Sequence, residues 1–249
     1  VGDGNLTFNL FSGKYFVIGN SLDEYHGELN FYQDGGIIIN ANGMKGIGIG
    51  SGLGGVINIK RGHYEFDMKG QEGACIGSVN GDSELFIEYC DMDIYSGISN
   101  GTIIGSVNGD ADIKLENISA KLQGAGNVIT GIGTIAGNSC MVRLENVNIS
   151  SNIRAKECYG IGCRAGRTDI YIGYAAVKSV VQGKSAVAFG NSVMSAKLYC
   201  SNADVGTNAV TEFNSDIGAL EKNIQLENGR AEFILNGQEV KRQILAARL

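Results

Sequence analysis

A triplet of the form Ile-Gly-small recurs along most of this chain: Ile18-Gly19-Asn20, Ile49-Gly50-Ser51, Ile76-Gly77-Ser78, Ile104-Gly105-Ser106, Ile132-Gly133-Thr134, Ile161-Gly162-Cys163 and Phe189-Gly190-Asn191. Successive glycines are 31, 27, 28, 28, 29 and 28 residues apart. A period this regular restricts the fold to architectures that stack one supersecondary unit. Each unit carries three apolar segments. The first ends at the large residue before the glycine. The second, eight to ten residues after the glycine with one deletion in the second copy and one insertion in the fifth, reads Ile57-x-Ile59, Leu85-x-Ile87, Ile113-x-Leu115, Val142-x-Leu144, Ile170-x-Ile172 and Leu198-x-Cys200, with Leu29 alone in the first copy. The third begins three residues on, as in Cys90-x-Met92-x-Ile94, Ile118-x-Ala120-x-Leu122, Val147-x-Ile149 and Ala175-x-Val177. Period-two spacing of branched residues marks strands with one buried face. The unit therefore predicts three short strands with turns between them.

One such unit cannot bury its apolar face alone, whereas stacking it on its neighbours closes both the core and the backbone hydrogen bonds. The expected fold is all-β, a single-stranded parallel β-helix of about seven coils. A step near 28 residues favours the wide right-handed coil, and seven coils at the strand spacing make a rod on the order of 30 Å long. Residues 1–14 read as an N-terminal capping strand, 15–207 as the β-helix and 208–249 as a C-terminal cap. Within the cap, Ile224–Leu226 and Ala231–Leu235 with the Asn236-Gly237 turn predict a hairpin. Val240, Ile244, Leu245 and Leu249 stand at helical spacing and predict a short terminal helix. Thirty-eight glycines and no proline suit a chain that needs many tight corners and keeps nearly every N–H for a ladder.

A formal charge of -6 without a basic stripe argues against nucleic acid as a partner. No apolar run is long enough for a bilayer crossing, and Val1 to Leu10 lacks the pattern of a signal peptide. Compartment and oligomeric state are left open by the residues themselves.

The glycine-rich stretch Gly50-Ser-Gly52-Leu-Gly54-Gly55 imitates a dinucleotide-binding loop. That loop occurs once, between a strand and a helix, whereas this column occurs seven times without a helix, so it reads as a coil corner. Cys75, Cys90, Cys140, Cys158, Cys163 and Cys200 fall in six different columns. Equal columns of neighbouring coils are where a disulfide could form, so six buried free thiols are expected, which leans towards a reducing compartment. Cys158-x4-Cys163 has no second pair, and His26 and His63 are remote, which argues against zinc. Glu88, Glu116 and Glu145 share one outward column. They form a candidate cation or ligand face, with a solvated surface offset by Lys60, Lys114 and Arg143 as the commoner outcome. The turn Ser-Val-Asn-Gly-Asp at 78–82 and 106–110 stacks Asp82 on Asp110, a weak calcium candidate beside ordinary turn chemistry. Four Asn-x-Ser/Thr sequons, at Asn5, Asn100, Asn117 and Asn148, are what chance gives in an asparagine-rich chain.

Asn117, Asn146 and Asn202 share the column at the bend between second and third strands, interrupted by Phe31, Arg61, Tyr89 and Tyr174. This resembles the asparagine ladder of pectate-lyase-type right-handed β-helices, over about residues 15–207. In those enzymes the resemblance places calcium-binding aspartates with an arginine base, or paired aspartates, on the outer face of the first strand. Here the corresponding outward positions are expected to be the glycines and Val17, Gly48, Cys75, Ile103, Gly131, Gly160 and Ala188, none of them an acid or a base. The Gly-His-Gly and Arg-Ile-Lys signatures of the hydrolases are also missing. The resemblance implies a bacterial cell-surface setting, against the reducing compartment suggested by the thiols.

The function expected from the sequence is a non-catalytic recognition module for a carbohydrate or a protein partner, within a larger surface or regulatory protein. Its smooth first-strand face would be a landing surface. The alternatives are a β-helix polysaccharide lyase or hydrolase with a site in the turns, and a structural adhesin or spacer segment.

Overall fold

The computed structural model describes residues 3–20, 27–193, 196–212, 224–235 and 238–245. It is a parallel β-solenoid of about seven coils with roughly 28 residues per turn, and the described residues contain no helix. Pairing runs between coils rather than within them. Ile76 stands beside Ile49 on one side and Ile104 on the other, and Leu85 is flanked in the same way by Ile57 and Ile113. Residues one period apart thus become neighbours, which is why the repeat is kept in the sequence. The interior is the sum of these columns. Ile49, Ile76, Ile104, Ile132, Ile161 and Phe189 are all fully buried in one continuous core. Burying each such side chain contributes about 1.5–3 kcal/mol.

Third and first strands are joined more smoothly than the sequence suggests. His63–Asn80 and Asp91–Asn108 are single strands of 18 residues, and Ser119–Thr134 and Asn148–Cys163 have 16 each. The bend between second and third strands is sharp, and its residues Arg61, Tyr89, Asn117, Asn146, Tyr174, Asn202 and Asn228 all have φ between 47° and 64°. Asparagine tolerates this left-handed conformation better than other side chains, which accounts for its recurrence. Among the described residues the side-chain ladder has one rung, Asn146 Nδ2 donating to Asn117 Oδ1 at 2.5 Å. In the first coil the residue at this corner is Gln33, because Phe31 pairs with Ile59. That coil is three residues longer, so counting from its glycine misplaces the bend.

The glycine column has a stronger requirement. Gly19, Gly50, Gly77, Gly105, Gly133, Gly162 and Gly190 have φ between 97° and 149°. A Cβ on Gly77, Gly105 or Gly133 would lie 1.8 Å from the carbonyl oxygen of the next glycine. Only glycine fits there.

The first-strand face differs from expectation. Pairing skips Gly48, Cys75, Ile103, Gly131, Gly160 and Ala188, leaving an irregular position that turns these residues inward with the one that follows. Cys75 and Ile103 are fully buried, and a Cβ on Gly48 would meet Met68 Sδ and Phe66 in the core. Outside, from the second coil on, the chain folds back at the glycine so sharply that the residues on its two sides pack together. Ile47, Ala74, Thr102, Thr130, Tyr159 and Val187, three before the second to seventh glycines, are at most 2% exposed, whereas Phe16, three before Gly19 in the end coil, is 44% exposed. Ile47, Val79, Val107, Val128 and Ile135 form a second apolar cluster along this crease. Thr130 Oγ1 donates across it to the Thr134 carbonyl, and Arg164 bridges it to Glu157 at 3.0 Å. The surface expected to be a smooth landing face is a closed seam.

At the C-terminal end, Ile224–Leu235 continues the parallel stack against Leu198–Ala209. Gln238–Leu245 is a strand, antiparallel to it, where the spacing predicts a helix. The last coil presents a row of unpaired backbone groups, and pairing them outweighs a local amphipathic pattern. Leu235 faces Gln238 as a hairpin requires; the expected turn residues Asn236 and Gly237, and the last helical position Leu249, lie outside the described residues.

Candidate functional site on the second-strand face

With the first-strand face sealed, the outer side of the second strands is one surface on which chemistry-bearing side chains gather. Alternation sends every second residue outward, so three columns run along it. One is Val56, Glu84, Asp112, Met141, Asp169 and Lys197. The middle one is Asn58, Phe86, Lys114, Arg143, Tyr171 and Tyr199. The third is Lys60, Glu88, Glu116, Glu145, Gly173 and Ser201.

The expected carboxylate column is present, with Glu88 beside Glu116 and Glu116 beside Glu145. Most of its charge is answered locally. Lys60 binds Glu88 at 2.7 Å and Lys114 binds Glu116 at 2.8 Å, and each carboxylate raises its lysine above the ordinary ammonium value. Arg143 turns instead to Asp112 at 2.6 Å. Among the described residues Glu145 therefore makes no ion pair. Its side chain reaches over the next coil, where Gly173 leaves room: a Cβ on Gly173 would stand 2.3 Å from Glu145 Oε2.

Asp82 and Asp110 have a different task. Asp82 Oδ1 accepts the Asp110 N–H at 2.8 Å, and Asp110 Oδ1 accepts those of Asn138 and Ser139 at 2.7 and 3.0 Å. Each carboxylate thus staples the turn of the following coil. They line a hollow of about 570 Å3 with Glu84 and Asp112, and no three His, Cys, Asp or Glu side chains among the described residues converge on a metal-sized point. Below these turns, inside the core, Ser78 donates to the Gly81 carbonyl at 2.7 Å and Thr134 to that of Gly109 at 2.7 Å. The residue after the repeat glycine closes a turn in this way at Ser78, Ser106, Thr134, Cys163 and Asn191.

All six cysteines are buried free thiols. Desolvation pushes Cys75, Cys90 and Cys200 up to about 12 and Cys158 up to about 11, so none is a poised nucleophile.

The feature that the repeat conceals is aromatic. Tyr171 and Tyr199 stand one coil apart in the middle column, ring centroids 6.3 Å apart and tilted by 48°. Tyr174 projects from the adjacent left-handed corner, 65% exposed, and Tyr171 is 43% exposed. With Gly173, Glu145, Arg143 and Lys114 they line a hollow of about 720 Å3. Tyr199 Oη donates to Glu227 Oε2 at 2.6 Å, which holds the ring and raises its phenol above the ordinary value.

Comparison with family models, curated proteins and solved structures finds no match. Sequence reasoning placed Glu145 but passed over its tyrosines. The available signal was the break in the column, glycine at 173 where three glutamates precede it.

Proposed function

We propose that this chain is a non-catalytic recognition module that binds carbohydrate on the second-strand face, centred on Tyr171, Tyr174 and Tyr199. The observation that carries this reading is a group of three tyrosine rings around one hollow on a rigid parallel sheet, Tyr171 and Tyr174 exposed and Tyr199 half-buried. Flat aromatic rings offer apolar area at low conformational cost and suit the C–H face of a sugar ring. Arg143, Lys114, Glu116 and Glu145 around them supply hydrogen-bond donors and acceptors for hydroxyl groups. The parallel ladder fixes the spacing of the rings before any ligand arrives, which lowers the ordering cost of binding.

Glycan-array screening followed by titration calorimetry tests the proposal. Saccharide binding that disappears in Tyr171→Ala/Tyr199→Ala is the expected result. A protein that binds no glycan on the array overturns it. Slow release of reducing ends or unsaturated products from the bound glycans would assign the surface to a lyase or hydrolase instead.

A further inference from the structure

Elsewhere on the surface, two exposed tyrosine rings, Tyr32 and Tyr95, already face a cation. The Lys60 ammonium lies 5.8 Å from the centroid of Tyr32 while bonded to Glu88 at 2.7 Å. Lys69 lies 5.9 Å from the centroid of Tyr95 while bonded to Asp67 at 2.9 Å. In both cases an ammonium is held between a carboxylate and a tyrosine face. The hollow at Tyr171, Tyr174 and Tyr199 contains the carboxylate and the rings without the ammonium. Lys60 and Gly173 belong to the same outward column, one at each end of the glutamate run. Where the second coil has lysine, the sixth has glycine. The two cations that do line the hollow are already committed, Lys114 to Glu116 and Arg143 to Asp112.

Resting on the glycan-binding reading above, we infer that the ligand brings the missing cation: a glycan containing hexosamine units with free, protonated amines. The amine sits at Glu145 above Gly173, against the tyrosine rings, and the sugar rings lie along Tyr171 and Tyr199. A carboxylate and aromatic faces together recognise an ammonium by ion pairing and by attraction to the ring quadrupole.

The test is calorimetry of the full chain with three tetrasaccharides of equal length: one of glucosamine, one of N-acetylglucosamine and one of neutral glucose. Binding of the glucosamine oligomer about tenfold tighter than either of the others is expected. That preference disappears in Glu145→Gln, and in Gly173→Ala, whose new methyl displaces the carboxylate, while circular dichroism stays unchanged. The preference also fades as pH rises through the pKa of the sugar amine. Equal binding of all three oligomers overturns this inference and leaves the glycan reading standing. No binding by any of them, together with a blank array, removes both. Preferential capture of a lysine peptide over the glucosamine oligomer also overturns it.

Discussion

The glycine seam and the second-strand face are built by the same repeat, yet one is closed and the other open. In the glycine column of the seam every coil contributes the same residue, and a side chain at Gly19, Gly50, Gly77, Gly105, Gly133 or Gly162 would drive a Cβ into the neighbouring backbone. Along the second-strand face the outward columns change from coil to coil, from charged pairs at Lys60–Glu88 and Lys114–Glu116 to the tyrosines around Gly173. Uniform columns answer a demand of the fold. A column that changes character is free of that demand, and it is the place to look for a ligand.

One substitution made in both regions tests this contrast most severely. Gly105→Ala should cost more than about 3 kcal/mol in urea unfolding, because the methyl meets the Gly133 carbonyl and the backbone φ is 137°. Gly173→Ala should change stability by less than about 0.5 kcal/mol, since the atoms nearest the new methyl belong to the movable end of Glu145. Similar costs at the two sites would erase the distinction.

The Asp110 staple gives the next effect. Asp110→Ala leaves two backbone N–H groups of the following coil without their acceptor, and a loss of about 1–2 kcal/mol is expected. The loss should be the same with calcium or with a chelator. A melting temperature that rises with calcium in the parent and not in the variant would assign a cation to these turns.

On the open face, Tyr171→Ala should weaken glycan binding by about 1 kcal/mol while leaving stability within about 0.5 kcal/mol of the parent. Calorimetry and urea unfolding of the same preparation separate the two.

The smallest effect concerns His63, which lies 2.9 Å from Glu65 and 3.1 Å from Asp91. The hydrogen bond to Glu65 is the main cause of its raised pKa; burial opposes it and Asp91 adds to it. Because the folded value lies above the unfolded one, this stabilisation is complete below the ordinary histidine value and is lost as pH rises through the raised one. With the ring 44% exposed, a few tenths of a kcal/mol is expected at most. An imidazole titration by NMR should place His63 above the ordinary value, and His63→Ala should flatten the stability profile in that window.

The sequence makes the stack legible because equal residues had to become neighbours: Ile49, Ile76 and Ile104 could be aligned before any coordinates. It misleads where one backbone irregularity changes which way a side chain points. Cys75 and Ile103 read as outward by simple alternation, and the skipped pairing turns them inward. It also misleads at the C-terminal end, where Gln238–Leu245 takes its conformation from the open edge it covers rather than from its own spacing. Of the candidate site, Glu145 was visible from its column. That Glu145 makes no ion pair among the described residues follows from Arg143 pairing with Asp112, which only side-chain geometry reveals.

The ladders join each coil only to the coils before and after it, and that has a mechanical consequence. A force pulling on the two chain ends does not load the whole rod at once, because an end coil is held by one neighbour and an inner coil by two. Unravelling should therefore proceed coil by coil from the ends. Each event frees roughly 28 residues, an extension on the order of 90 Å at the reach of an extended chain. A rod of this kind yields to tension in steps of nearly equal length, and those steps count its coils.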